Sequence, residues 1–137
     1  TLYGDMAGGY APLGDLYKME VYALAREFNE RIGAMAVNES TLTKPPSAEL
    51  APDQKDEDSL PPYPILDEIL RLHIEDGLDA TQLVEHGHEL SVVNDVLTRL
   101  SRNEHKRWQM PPAPRVSKRA FGQGWRQPLA AKHDWRD

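Results

Sequence analysis

TLYGDMAGGYAPLGDLYK, residues 1–18, gathers Gly4, Gly8, Gly9 and Gly14 into one short segment ahead of a helical pattern. Glycine loses more chain entropy on ordering than any other residue, so such a loop implies that something approaches its backbone closely. Asp15 stands as a helix cap, and Tyr17, Val21, Leu24 and Phe28 follow at spacings of four, three and four, one face of a helix. Gly33 predicts where that helix ends. Lys18 falls in its first turn, where a cation opposes the macrodipole. Such a lysine either extends into solvent or serves an anion that the helix start attracts.

Working outward, KPPSAELAPDQKDEDSLPPYP at 44–64 holds six prolines and an acidic cluster, which excludes continuous helix or strand. A loop of this length reads either as a mobile cover over a site or as linker, and its composition favours linker. Pro64 suits the start of a helix running through Leu66, Ile69, Leu70 and His73 to a stop at Gly77. Asp79 to Gln82 approximates a capping box for a short helix that ends at Gly87. A third helix carries Leu90, Val93, Leu97 and Leu100 and is predicted to continue through Asn103-Glu104-His105-Lys106-Arg107. The tail, 108–137, has prolines at 111, 112, 114 and 128 and aromatic anchors at Trp108, Phe121, Trp125 and Trp135, a pattern for an extended segment that wraps a surface.

Composition narrows the classes. A chain of 137 residues is one domain at most, and 39% hydrophobic content with 11 prolines limits its core. The net charge of -6 argues against coating nucleic acid, but the charges are uneven: five acids against Lys55 between Glu49 and Asp58, seven lysines and arginines against Glu104 between Arg99 and Arg119. The absence of cysteine removes thiol nucleophiles, disulfides and thiolate metal sites, as fits a reducing compartment. No apolar run approaches 18 residues, and the expectation is a cytoplasmic protein without membrane contact.

Read singly, the polar candidates have ordinary explanations. His105 and Lys106 sit where a helix runs out, a favoured place for basic residues. His73, His86, His88 and His133 form no metal-site spacing, and His86 and His88 flank a turn glycine, where exposure is expected. Asp53, Asp56, Glu57 and Asp58 lack a calcium-loop pattern and read as a solvated acidic loop. Ser47 has no neighbouring base and no nucleophile elbow, leaving a turn hydroxyl. The glycines match neither a Walker loop nor a dinucleotide fingerprint.

In order, however, TLYGDMAGGYAPLGDLYK, LTKPPSAELAPDQKDEDSLPPY and RNEHKR resemble the C-terminal part of the synthetase domain of NAD synthetases, in particular the glutamine-dependent branch. Leu2 and Gly9 stand where the ammonia-dependent branch would have Lys and Asp. The resemblance implies a mainly α fragment, about four helices plus long loops, of an α/β adenine-nucleotide α-hydrolase-like (Rossmann-like) domain. It implies amidation of deamido-NAD: the nicotinate carboxylate attacks the α-phosphate of ATP, pyrophosphate leaves, and ammonia displaces AMP. Carboxylate and triphosphate repel, so positive groups and Mg2+ are implied around them.

On the same resemblance, Lys18 contacts ATP phosphates and Ser47 offers a hydroxyl near ATP from a substrate-covering loop at 44–64. Lys106, with His105 beside it, aligns with the deamido-NAD pair, and Asp5 lines the site without a defined role. No catalytic residue or metal ligand is assigned in these residues. The family's SGGxDS loop, its acidic magnesium ligand and its nitrilase-like glutaminase domain, the source of ammonia, are absent from the 137 residues. The expectation is therefore a piece of the enzyme, inactive alone and associating as a homo-oligomer. The competing reading is a helical interaction module that binds an acidic partner or nucleic acid through residues 99–119.

Overall fold

A computed structural model describes residues 7–47 and 52–130. Among these the chain is helical and has no strand: α1 (Lys18–Ile32), α2 (Glu39–Thr43), a 3-10 turn (Asp56–Asp58), α3 (Tyr63–Ile74), α4 (Ala80–Glu85), α5 (Leu90–Arg102) and α6 (Glu104–Gln109). Two helices exceed the expected four. One is the short α2; the other arises because the predicted run through Arg107 breaks at Asn103. There the Asn103 side-chain amide donates to the Arg99 carbonyl at 2.8 Å, closing α5 before α6 begins. Residues 1–16 with 68–137 form one compact unit, and 17–67 form a second.

The core belongs to the first unit. Ile69, Leu72 and Ile74 of α3, Ala80 and Leu83 of α4, and Val93, Val96, Leu97 and Leu100 of α5 are its buried apolar residues. On α5 they fall at i, i+3, i+4 and i+7, one continuous stripe, while Leu90 of the predicted face is exposed. The local stop and start signals act as read. Asp79 accepts from the Gln82 N–H at 2.9 Å and the Gln82 side chain accepts from the Asp79 N–H at 3.0 Å, the reciprocal box that starts α4. Gly77 (φ 77) and Gly87 (φ 102) take the left-handed conformation that reverses the chain after α3 and α4.

Asp15 caps no helix; Tyr17 holds the position before α1. The Asp15 carboxylate instead turns to the C-terminal segment. Its Oδ2 accepts from the Val116 N–H (2.7 Å), the Ser117 N–H (2.9 Å) and the Ser117 hydroxyl (2.9 Å), and its Oδ1 accepts from the Phe121 N–H (2.8 Å). The Ala11 N–H adds a bond to the Pro112 carbonyl at 2.9 Å. A Cβ on Gly14 would stand 2.6 Å from the Met110 methyl and 3.0 Å from Ala113. The close approach implied by the glycine loop is thus made, at Gly14, by the chain's own tail. Residues 110–130 carry no helix and are held by these contacts and by Trp125, which meets the His73 ring edge-on at 5.5 Å.

In the second unit α1 buries no residue, and Met19, Leu24, Phe28 and Ile32 are exposed. Gly33 (φ 63) ends it as read. Asn29 then clamps the following turn by donating to the Val37 carbonyl (2.8 Å) and accepting from the Val37 N–H (2.9 Å).

His73 and Asp15 contribute to the acid limit of the first unit. Burial lowers the His73 pKa from its ordinary 6.5 despite the bond between Nδ1 and the Leu78 carbonyl. Burial raises that of Asp15, but the bonds from Ser117, Val116 and Phe121 outweigh it and hold the carboxyl below 3.8. The unfolded chain therefore binds the His73 proton first as pH falls, and stability declines below about 6.5, with a second loss as pH falls through 3.8 and below. Urea midpoints measured from pH 8 to 3 are expected to show both steps, with His73→Gln removing the upper one. Asp15→Ala, which strips acceptors from three backbone N–H groups, is expected to cost about 3 kcal/mol and to speed proteolysis within 110–130.

Candidate functional site

Lys18 opens α1 without a side-chain cap beneath it, so the helix start needs acceptors from elsewhere. Glu20 accepts from the Tyr17 N–H at 2.9 Å, and Asp67 of α3 accepts from the Met19 N–H at 2.7 Å and from the Lys18 N–H. The anion at this helix start is therefore the protein's own. Burial raises the Asp67 pKa, and the two backbone bonds work against that rise. Lys18 is half-buried rather than run out into solvent, and its charge acts on the Asp67 carboxylate. Its ammonium lies over the rings of Tyr22 (5.5 Å) and Tyr63 (5.7 Å), which attract a cation through their π faces.

Tyr63 carries the arrangement further. Its hydroxyl donates to Asp56 Oδ2 at 2.6 Å, and burial together with that carboxylate pushes its pKa well above the ordinary 10. The Asp56 N–H in turn donates to the Pro46 carbonyl at 2.9 Å, next to Ser47. A series of contacts thus runs from Lys18 through Tyr63 and Asp56 to the carbonyl of Pro46, the residue before Ser47. This corrects the reading of the acidic loop as uniformly solvated: Asp53, Glu57 and Asp58 are exposed, whereas Asp56 is half-buried and bonded. Neither Tyr63, Asp56 nor Asp67 is signalled by local spacing.

The second pair lies in the first unit. His105 and Lys106 are on α6, with His105 exposed and its Nδ1 3.1 Å from the Arg102 carbonyl, and with Lys106 half-buried. The neighbouring Arg107 is buried against Phe121 (5.0 Å) and Trp125 (4.2 Å) and pairs with Glu104. Burial and the charge of Arg126 lower its pKa to about 10, which leaves it protonated at neutral pH. The basic segment is partly neutralised in place: Arg99 pairs with Asp95 at 2.7 Å and Lys118 with Asp76 at 2.7 Å. His88, expected in solvent, keeps a side chain only 11% exposed beside Glu68 at 3.9 Å; His86 is exposed. Asp5, His133 and Trp135 lie outside the described residues. Among the described residues no three His, Asp or Glu side chains gather as a metal site.

Residues 1–111 match the NAD synthase family, and the chain belongs to that family. It is 47% identical over 129 residues to the glutamine-dependent NAD(+) synthetase of Thermotoga maritima, which covers 94% of this chain and 22% of that relative. Against the enzyme of the same name from Acinetobacter baylyi it is 46% identical over 136 residues, 99% of the chain and 25% of the relative. Among solved structures it is similar to the glutamine-dependent NAD+ synthetase from Acinetobacter baumannii in complex with ADP, with a TM-score of 0.50 and 36% identity over 94% of this chain and 22% of that one. The chain thus spans about a quarter of the length of these relatives.

Tyr63→Phe keeps the ring beneath Lys18 and removes only the bond to Asp56. Hydrogen exchange at the Asp56 amide is expected to accelerate about tenfold, the equivalent of one hydrogen bond to a charged acceptor, with α1 protection unchanged. An equal acceleration along α1 would show that the tyrosine ring, not its hydroxyl, sets the loop.

Proposed function

We propose that these residues are the C-terminal part of the synthetase domain of a glutamine-dependent NAD synthetase and supply it with contacts to ATP phosphates and to deamido-NAD. The observation that carries the proposal is the series from Lys18 through Tyr63 and Asp56 to the Pro46 carbonyl. It ties the backbone just before Ser47 to the tyrosine under Lys18, and Ser47 and Lys18 are the two residues that the family motif assigns to ATP. Family membership and the ADP-bound relative support the nucleotide class. The parent fold is proposed to be the Rossmann-like α/β domain, with 44–64 as its substrate-covering loop and 108–137 as its C-terminal tail.

The reaction forms a bond between a nicotinate carboxylate oxygen and the α-phosphorus while the bond from that phosphorus to pyrophosphate breaks. Ammonia then attacks the activated carbonyl and AMP departs. Bringing an anionic carboxylate to an anionic phosphate is the electrostatic obstacle. Lys18 would offset it with one positive charge, and its ring cradle preorganises the ammonium. Ser47 would donate its hydroxyl to a phosphate oxygen, and Lys106 with His105 would hold deamido-NAD. Asp5 is assigned to the same site by the motif alone. Mg2+ supplies further charge neutralisation when bound with ATP, but the described acids do not gather into a cage for it and no step here runs through the ion. Glutamine-derived ammonia, cytoplasmic location and a homo-oligomeric enzyme belong to the same reading.

In a complete enzyme carrying this region, Lys18→Ala and Lys106→Ala are each expected to lower kcat/KM at least about tenfold, the loss of one charged phosphate contact of about 1.5 kcal/mol or more. The 137 residues alone are expected to form no NAD from ATP, deamido-NAD and ammonia. Unaltered kinetics in both variants would remove the assignment of these lysines.

A further inference from the structure

The tail and the start of the chain enclose a cleft of about 480 Å³ in the first unit, within the size range of small-molecule sites, about 300–1,000 Å³. None of Lys18, Ser47, His105 or Lys106 lines it. Its charged lining is Arg107, Arg115, Lys118, Arg119 and Arg126 against a single carboxylate, Asp15. That carboxylate is bonded to its four tail donors, Lys118 pairs with Asp76, and Arg107 pairs through Nη2 with Glu104 outside the lining. Among the described residues Arg115 and Arg126 donate to carbonyls, Arg115 to Ser117 and Lys118 and Arg126 to Gly122, and Arg126 stacks over Trp108 at 4.2 Å. Among the described residues neither they nor Arg119 meet a carboxylate. Arg107 is buried at 4% exposure, and its Nε and Nη1 find no acceptor among the described residues. Arg126 already repels it, a crowding of like charge that an anion in the cleft would relieve.

We propose that this cleft binds a diphosphate group, either inorganic or within a nucleotide, through residues other than those assigned to ATP and deamido-NAD. Planar guanidinium forks match phosphate oxygens, and several cations around one small cavity favour a multiply charged ligand over a single carboxylate or halide.

The test is a titration of the isotopically labelled 137-residue chain with inorganic pyrophosphate, without magnesium and at low salt, read by backbone amide shifts. Amides of 113–124 are expected to move saturably, with affinity falling as salt rises. Arg119→Ala, an exposed change in an irregular segment, is expected to weaken the effect about tenfold, and Arg115→Ala with Arg126→Gln to abolish it, with helical content unchanged by circular dichroism. ATP giving the same Arg119-dependent shifts would show that the phosphate chain is recognised within a nucleotide. Shifts confined to 17–47, no saturable shift at 113–124, or saturation indifferent to Arg119 would each overturn the site. None of these outcomes bears on the kinetics of Lys18 or Lys106.

Discussion

The first unit depends on one buried carboxylate. Asp15 is 5% exposed and accepts four hydrogen bonds from partners 101 to 106 residues away in sequence. An irregular segment has no ladder to satisfy its backbone, and three of those donors are amide N–H groups that would otherwise need water. The carboxylate therefore acts as the nucleus around which 116–121 turns. With that turn fixed, Phe121 and Trp125 reach Arg107, and Trp125 closes over His73. The described residues of the tail, 108–130, add no buried aliphatic residue to the core at Ile69–Leu100, so their order rests on polar and cation–π contacts.

What was legible in the sequence is what is local. The Asp79–Gln82 box, the stops at Gly33, Gly77 and Gly87 and the stripe of α5 each depend on residues within about two turns, and each formed, the stripe from Val93 to Leu100 without Leu90. Asp15 failed as a local cap because its acceptor oxygens were claimed by distant donors, information that spacing does not contain. Asp67 escaped notice for the same reason: it lies inside an ordinary helical pattern and serves a helix start 48 residues earlier. The break at Asn103 had a weak signal, since Asn is a poor helix interior residue whose side chain competes for backbone groups. The family resemblance rested on ordered motifs and was correspondingly strong, while the reach of each motif residue was not legible from it. The joining of Lys18 to the backbone just before Ser47 needed Tyr63 and Asp56, and neither stood out on chemistry alone.

The helix that presents Lys18 is itself lightly supported. Fifteen residues with no buried side chain are marginal as an isolated helix in water. What holds α1 is at its ends: Asp67 and Glu20 at the start, the left-handed Gly33 and the Asn29 clamp at the finish. A lysine on such an element is positioned by its rings more than by packing, which makes Tyr22 and Tyr63 the determinants of where its charge lies.

The formal charge of -6 is a poor guide to what an approaching anion meets. Several acids are engaged with backbone N–H groups: Asp15 with the tail, Asp67 and Glu20 with the start of α1, Asp79 with α4, Glu104 with Gln127 and Glu75 with Lys118. Each such bond places a carboxylate against positive amide dipoles and takes part of its field out of solvent. The arginines of 115–126 are satisfied, where they are, by carbonyl oxygens, which orient a guanidinium without cancelling its charge. Spending acids on structure while leaving arginines charged gives an acidic chain a cationic recess. The constraint that folds the tail is thus also the one that concentrates its positive charge.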